Sequence, residues 1–138
     1  MKVLKFGGTS VGSAENINKV ISILEQQSKN YNIAVVVSAV GGITDKLLEA
    51  ANLACNKDKN YKQTCTAIWT RHNKVIEGLF ANSKNDKRLQ KNHDQLQDII
   101  SGKLNELRNL LDGIYLINEL SPKTKDKLLS FGEALSST

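Results

Sequence analysis

The feature that most constrains the fold is a short apolar run that ends in two adjacent glycines and leads into a helix-like stretch. The run holds Val3, Leu4 and Phe6, and the turn reads Lys5-Phe6-Gly7-Gly8-Thr9-Ser10. Two glycines allow the backbone to approach an anion closely. Lys5 adds a positive charge, and Thr9 and Ser10 add hydroxyl donors. The order of strand, glycine turn and helix therefore predicts a phosphate-handling loop at the end of a first strand.

A second strand follows the first helix. Apolar residues recur with helical spacing after Ser13, which we expect to cap a helix that ends near Ser28 to Asn30. Ile33–Val37 is then apolar without interruption, a pattern typical of a strand buried on both faces of a parallel sheet. Because parallel strands end at the same edge, the loop from Ser38 to Thr44, which contains Gly41 and Gly42, should lie beside the first loop. The fold class is therefore α/β.

The remaining sequence is helix-rich. We expect a helix after a cap at Thr44 or Asp45, long amphipathic helices over Tyr61–Phe80 and Leu89–Ile114, and a helical hairpin turning at the polar stretch Asn82–Lys87. Gly113 should close the long helix, and Ser121-Pro122 should start another that leads into Ser130–Thr138. His72 and His93 continue apolar stripes, which favours packed over catalytic histidines.

Composition excludes several classes of function. The chain has 138 residues, 40% of them apolar and 24% charged, which suits one water-soluble domain. It shows neither a membrane-spanning run nor a signal peptide, so we expect a cytoplasmic protein without a membrane partner. Cys55 and Cys65 have no metal-ligand spacing, and we predict neither a metal site nor a disulfide. The net charge of +5 is spread along a chain with 5% aromatic residues, so we expect no nucleic-acid partner.

The two loops suit phosphoryl transfer, which requires bound phosphates, neutralised charge and an aligned acceptor. Ser38 and Thr44 could bind a carboxylate, and Glu133 could pair with an ammonium group, so the acceptor would be an amino acid. Neither the P-loop nor the dinucleotide fingerprint occurs. From the residues alone, the glycines could instead form simple turns, and the hydroxyls could serve as caps. A non-catalytic anion-binding module is the corresponding alternative.

Several motifs in order along the chain resemble the N-terminal part of an aspartokinase. They are Lys5-Phe6-Gly7-Gly8-Thr9-Ser10-Val11, Val36-Val37-Ser38-Ala39 with Gly42-Ile43-Thr44, Gly113-Ile114, Glu119-Leu120-Ser121-Pro122-Lys123-Thr124, and Ser130-Phe131-Gly132-Glu133. The start and the 113–122 segment are most similar to bifunctional aspartokinase–homoserine dehydrogenases. The resemblance implies an amino acid kinase fold, an α/β/α sandwich around a mostly parallel sheet, of which residues 1–138 would be an incomplete, C-terminally truncated part. Regulatory ACT domains and any dehydrogenase would lie outside it.

The resemblance also implies an activity and its site residues. The protein would transfer the γ-phosphoryl group of ATP, with Mg²⁺, to the side-chain carboxylate of L-aspartate, the first step of lysine, threonine and methionine synthesis. Lys5 would be catalytic, and Lys5, Gly7, Gly8, Thr9 and Ser10 would form the phosphate side of the site. Ser38 and Thr44 would contact aspartate, and Glu133 would receive its ammonium group. Another amino acid kinase, acting on glutamate or acetylglutamate, is the nearer alternative.

The family's nucleotide-base and magnesium residues lie beyond the motifs found in residues 1–138. We therefore expect this segment alone to be inactive. We also expect the whole protein to be a homo-oligomer, assembled through its regulatory domains.

Overall fold

Two parallel strands joined by a helix form the centre of the site-bearing end of the molecule. A computed structural model describes residues 1–81 and 86–138. Strand β1 (Lys2–Phe6) and strand β2 (Ile33–Val37) pair in parallel, in a register that runs from Lys2 opposite Ile33 to Phe6 opposite Val37. Helix α1 (Ala14–Ser28) connects them. Both strands therefore end at the same edge, as the sequence predicted, and the α/β class with a small parallel sheet is confirmed.

Five further helices complete the described residues. They are α2 (Ile43–Cys55), α3 (Tyr61–Leu79), α4 (Lys87–Ile117), α5 (Pro122–Leu129) and α6 (Phe131–Ser136). The core surrounds α2, where Leu47, Ala50, Ala51 and Ala54 are fully buried. The three alanines are small enough to let α3, α4 and α5 all pack against α2. Each fully buried leucine or isoleucine of this cluster contributes about 1.5–3 kcal/mol to stability.

Helices α3 and α4 run antiparallel, as predicted. Tyr61 at the start of α3 donates to Asp112 near the end of α4, while Glu77 near the end of α3 meets His93 near the start of α4. The predicted turn at Asn82–Lys87 falls largely on residues 82–85, which lie outside the described residues. None of the helices described is long and apolar enough to cross a membrane.

The prediction that β2 is buried on both faces is wrong in this structure. Val35 is 43% exposed and Val36 is 46% exposed. Side chains alternate between the faces of a strand, so Val3, Lys5 and Val36 share one face of the sheet. Val3 on that face is 63% exposed. Val36 is exposed because the sheet, within the residues described, consists of two strands, and this face is left open. Val35 lies on the opposite face, toward α1, where it borders an open cavity lined also by Val20 and Val75.

The predicted caps at Ser13 and Ser121 are confirmed, as is the predicted end of α1 near Ser28, whereas the predicted start of α2 and end of α4 are wrong. Ser13 caps α1 by accepting from the amide of Asn16, and Ser121 caps α5 with Pro122 in its first turn. Helix α2, however, begins at Ile43 behind Gly42 in the left-handed region (φ +80°), so neither Thr44 nor Asp45 is its cap.

Helix α4 also continues past Gly113. It ends at Ile117, where Asn118 adopts a left-handed conformation (φ 59°) and donates its amide to the carbonyl of Ile114. Leu111 and Ile114 are both buried on the core side of α4. Burial on either side of Gly113 outweighs the modest helix penalty of one glycine.

Candidate active site at the strand ends

The first loop is a tight turn directly after β1. The carbonyl oxygen of Gly7 accepts hydrogen bonds from the amides of Ser10 (2.9 Å) and Val11 (3.3 Å). The carbonyl oxygen of Thr9 accepts from the amide of Gly12 (3.2 Å) and from Nδ2 of Asn16 (3.0 Å). The turn is therefore fixed from within and by the first turn of α1.

The second loop lies against the first. The amide of Ser38 extends the strand ladder by donating to the carbonyl of Phe6 (3.0 Å), and the amide of Gly41 donates to the carbonyl of Gly8 (3.1 Å). A Cβ atom added to Gly8 would lie 2.7 Å from the carbonyl oxygen of Ala39. Glycine at position 8 is therefore required for the loops to touch, and the two predicted loops form one surface.

Helix α6 brings the segment that carries Glu133 to this surface. Gly132 packs so closely on the second loop that a Cβ atom there would lie 2.8 Å from Cβ of Ala39 and 3.8 Å from Oγ1 of Thr44. Glu133 follows Gly132 and is exposed in the first turn of α6. Ser136, one turn later, donates from Oγ to the carbonyl of Ser38 (2.6 Å). The segments that carry Ser38, Thr44 and Glu133 are thus gathered at one edge.

Lys5 stands on the open face of the sheet. It pairs in register with Val36, one position before β1 ends, and its side chain is exposed. Within the residues that the structure describes, no hydrogen bond or ion pair engages its ammonium group. Lys5 is therefore available to an anion that lies over this face.

Thr9 and Ser10 lie toward α1 instead. Both border a depression of about 260 Å³ between β1 and α1, together with Phe6, Asn16 and Lys19. Because side chains alternate, Phe6 projects to the face opposite Lys5. Gly7 and Gly8 therefore lie at the loop junction beside Lys5. Thr9 and Ser10 lie on the side of the turn that faces α1.

The positive end of α2 is directed at the second loop. Among the described residues, no side chain caps this helix, whose N-cap is Gly42. The first amides of a helix carry partial positive charge and bind anions. Thr44, exposed in the first turn, presents its hydroxyl at the same place.

Comparisons with known proteins identify the family of this chain. A sequence model described as the amino acid kinase family matches residues 1–138. The chain belongs to the amino acid kinase family. Its relatives include the bifunctional aspartokinase/homoserine dehydrogenase of Buchnera aphidicola subsp. Acyrthosiphon pisum, 35% identical over 99% of this chain and 16% of the relative. An aspartokinase of Candida albicans is 33% identical over 97% of this chain and 24% of its own length.

Solved aspartokinases share the fold of this amino acid kinase segment. Escherichia coli aspartokinase III in complex with lysine and aspartate superimposes with a TM-score of 0.77 at 26% identity, over 99% of this chain and 27% of that one. The same enzyme in complex with aspartate and ADP gives a TM-score of 0.69. The chain thus spans about a quarter or less of these relatives.

Three residues that support the amino acid kinase loops were not identified from the sequence. Arg71 of α3 donates from Nη2 to the carbonyl of Gly12 (2.9 Å), Asn16 holds Thr9, and Ser136 holds Ser38. Arg71 and Ser136 act across 59 and 98 positions of sequence, respectively. These two bonds depend on tertiary packing, so no local sequence pattern predicts them. The Asn16 bond is local, since Asn16 lies in the first turn of α1, three residues after the Ser13 cap.

Among the described residues, the two histidines and two cysteines make no hydrogen bond to either loop, although His72 borders the same cavity as Val11 and Val40. His72 is 4% exposed, its Nδ1 lies 2.8 Å from the carbonyl of Ile68, and burial lowers its pKa. His93 packs edge-on against Phe80. Cys55 and Cys65 are free and half-buried, and burial raises the pKa of the Cys65 thiol. The prediction of packed rather than catalytic histidines is consistent with these positions.

Proposed function

We propose that this chain is the N-terminal part of an aspartokinase catalytic domain. The protein would transfer the γ-phosphoryl group of ATP to the side-chain carboxylate of L-aspartate, forming 4-phospho-L-aspartate. The observation that carries this proposal is the Gly41 to Gly8 hydrogen bond, which joins a phosphate-type loop to a second loop already packed against the segment carrying Glu133. The names of the relatives and the aspartate and ADP complexes of the E. coli enzyme support it.

The phosphate side of the proposed site consists of Lys5 and the first loop. Lys5 would neutralise the charge that builds up on the transferred phosphoryl group. The exposed backbone of Gly7 and the backbone of Gly8 would approach the phosphate oxygens closely, since neither residue carries a Cβ atom. Thr9 and Ser10, set toward α1, would contribute to the shape of the turn and to hydrogen bonding at its margin.

The aspartate side consists of the second loop and α6. Ser38, Thr44 and the uncapped first turn of α2 supply neutral donors for a carboxylate. Glu133 supplies the opposite charge for the ammonium group of aspartate. This arrangement would hold the amino acid at both of its charged groups and leave its side-chain carboxylate to face the first loop, where phosphoryl transfer depends on alignment.

Mg²⁺ would accompany ATP, because divalent cations bind polyphosphates through oxygen ligands. Among the described residues, no group of three histidine, cysteine or carboxylate side chains could hold a metal ion. We therefore assign Mg²⁺ no ligand in this segment. The nucleotide base and the metal would be bound by parts of the protein outside residues 1–138. We therefore propose that this segment alone does not catalyse phosphoryl transfer.

Trapping of the acyl phosphate by hydroxylamine tests the activity. The full-length protein and residues 1–138 would each be incubated with ATP, Mg²⁺, hydroxylamine and either aspartate, glutamate or N-acetylglutamate. We expect aspartyl hydroxamate from the full-length protein and none from residues 1–138. Preference for glutamate or N-acetylglutamate would overturn the proposed substrate. Hydroxamate formed by residues 1–138 would overturn the proposed inactivity of the segment.

A further inference from the structure

Ser38 is held on both sides of its peptide backbone. Its amide donates to the carbonyl of Phe6 (3.0 Å), and its carbonyl accepts from Oγ of Ser136 (2.6 Å). A residue with both backbone groups bonded has little freedom to rotate its backbone, so the direction of its Cα–Cβ bond is fixed. The first bond belongs to the sheet, whereas the second comes from α6.

Ser136 also lies one helical turn after Glu133. Residues three positions apart share a face of a helix, and Oγ of Ser136 lies 3.2 Å from the carbonyl of Glu133. A serine hydroxyl has one proton to donate, and the shorter of the two contacts leads to Ser38. The hydroxyl therefore lies between the turn that carries the carboxylate and the loop that carries Ser38.

The rest of α6 is anchored by packing. Phe131 is 8% exposed and Leu135 is 3% exposed, and Gly132 contacts the second loop without an intervening side chain. These contacts set the distance between the helix and the loop. They are apolar and non-directional, so the Ser136 bond is the directional contact recorded between α6 and the second loop among the residues described.

From this geometry we infer that Ser136 is a positioning residue for the amino acid substrate. It acts by holding Ser38 at a fixed distance from Glu133. The inference rests on the proposed function, because it assigns Ser38 and Glu133 to opposite ends of one bound amino acid. Ser136 does not touch the substrate. Loss of its hydrogen bond would make the distance between Ser38, which donates to the substrate carboxylate, and Glu133, which accepts from the ammonium group, more variable.

Steady-state kinetics of the full-length protein test this inference, with Ser136→Ala as the main variant. Loss of one hydrogen bond should raise the aspartate KM by about threefold to tenfold. The ATP KM and the melting temperature should change little. Ser136→Thr, which keeps a hydroxyl, should recover most of the affinity, and Ser137→Ala, at the exposed neighbouring position, should behave as the unmodified protein.

The outcomes separate this inference from the proposed function. If the unmodified protein phosphorylates aspartate and Ser136→Ala leaves its aspartate KM unchanged, the positioning role is wrong and the proposed function stands. Equal increases in the KM of aspartate and of ATP would also contradict it, since they indicate general loosening. If the unmodified protein does not act on aspartate, both fail. Should Ser136→Ala not fold, the shape-matched pair Ser136→Thr and Ser136→Val makes the same comparison.

Discussion

The amide of Gly41 donates to the carbonyl oxygen of Gly8 over 3.1 Å, and this single bond joins the loops that follow the two strands. The bond forms because the strands are parallel and their last residues, Phe6 and Val37, lie opposite each other. Neither residue has a side chain that would separate the two backbones. The junction is therefore a property of the strand–turn–helix order together with glycine at both contact points.

Replacement of Gly8 tests how tight this junction is. In Gly8→Ala the new methyl group would lie 2.7 Å from the carbonyl oxygen of Ala39, and backbone on both sides would have to move. We expect a loss of about 1–3 kcal/mol in the free energy of unfolding, measured by urea denaturation. The matched control is Gly7→Ala, whose Cβ atom would meet no described atom within 4 Å. Equal stability of the two variants would show that the loops do not touch in solution.

Lys5 should affect turnover. Lys5→Met in the full-length protein removes the charge proposed to stabilise the transferred phosphoryl group, so we expect kcat to fall by about a hundredfold or more. Lys2→Met is the control, because Lys2 lies on the same strand but contacts Gln27 (2.7 Å) and the ring of Tyr31 (4.1 Å). An undiminished kcat in Lys5→Met would remove Lys5 from the catalytic machinery.

Glu133 should affect aspartate binding. Glu133→Gln keeps the shape of the side chain but removes its charge, and a charge-assisted hydrogen bond contributes about 1.5–3 kcal/mol. We therefore expect the aspartate KM to rise by about tenfold to a hundredfold, with the ATP KM nearly constant. Glu49→Gln, an exposed carboxylate on α2, is the control for a general effect of charge. An aspartate KM unaffected by Glu133→Gln would argue against the assigned role.

The parts predicted well from the sequence depend on local patterns. Uninterrupted apolar residues identified Ile33–Val37 with its observed bounds, and parallel pairing alone placed both glycine loops at one edge. Ser13 and Ser121 were recognised as caps because capping involves an amide three residues away.

The parts predicted poorly depend on tertiary context. Whether Val36 is covered depends on what packs over that face of the sheet, which the strand's own sequence does not reveal. Thr44 was a reasonable cap by residue type, but Gly42 reaches the left-handed conformation and starts α2 earlier. The bonds of Arg71 and Ser136 join residues distant in sequence and follow from the packing of whole helices.

Gly113 offers a direct test of one corrected boundary. Because it lies within α4 and a Cβ atom there would meet no described atom within 4 Å, Gly113→Ala should stabilise the protein. The expected gain is about 0.5–1 kcal/mol in the free energy of unfolding, from the lower backbone entropy of alanine in the unfolded chain. Asn118→Ala, at the left-handed residue that does end the helix, should destabilise it. Destabilisation by Gly113→Ala would instead mean that the helix ends at residue 113.

The contributions of the two histidines to the free energy of unfolding should change with pH in opposite directions. Hydrogen bonding of His93 to Asp94 (3.1 Å), and then its contact with Glu77 (3.3 Å), raises its pKa, whereas burial lowers the pKa of His72. His93 therefore adds stability that is fully present below the pKa of an unfolded histidine, near 6.5, and that is lost as pH rises through its folded pKa.

His72 has the opposite sign. Because its folded pKa is lowered, its neutral form is favoured in the folded state. Stability is lost as pH falls below about 6.5. In that range His72 becomes protonated in the unfolded chain, whereas in the folded protein its buried ring resists protonation. The chain has two histidines, so proton NMR should show one ring titrating above 6.5 and one below it, with His93→Gln removing the higher one. In urea denaturation, His93→Gln should lose more stability relative to the unmodified protein at pH 5.5 than at pH 8. Two rings with the same midpoint would contradict both assignments.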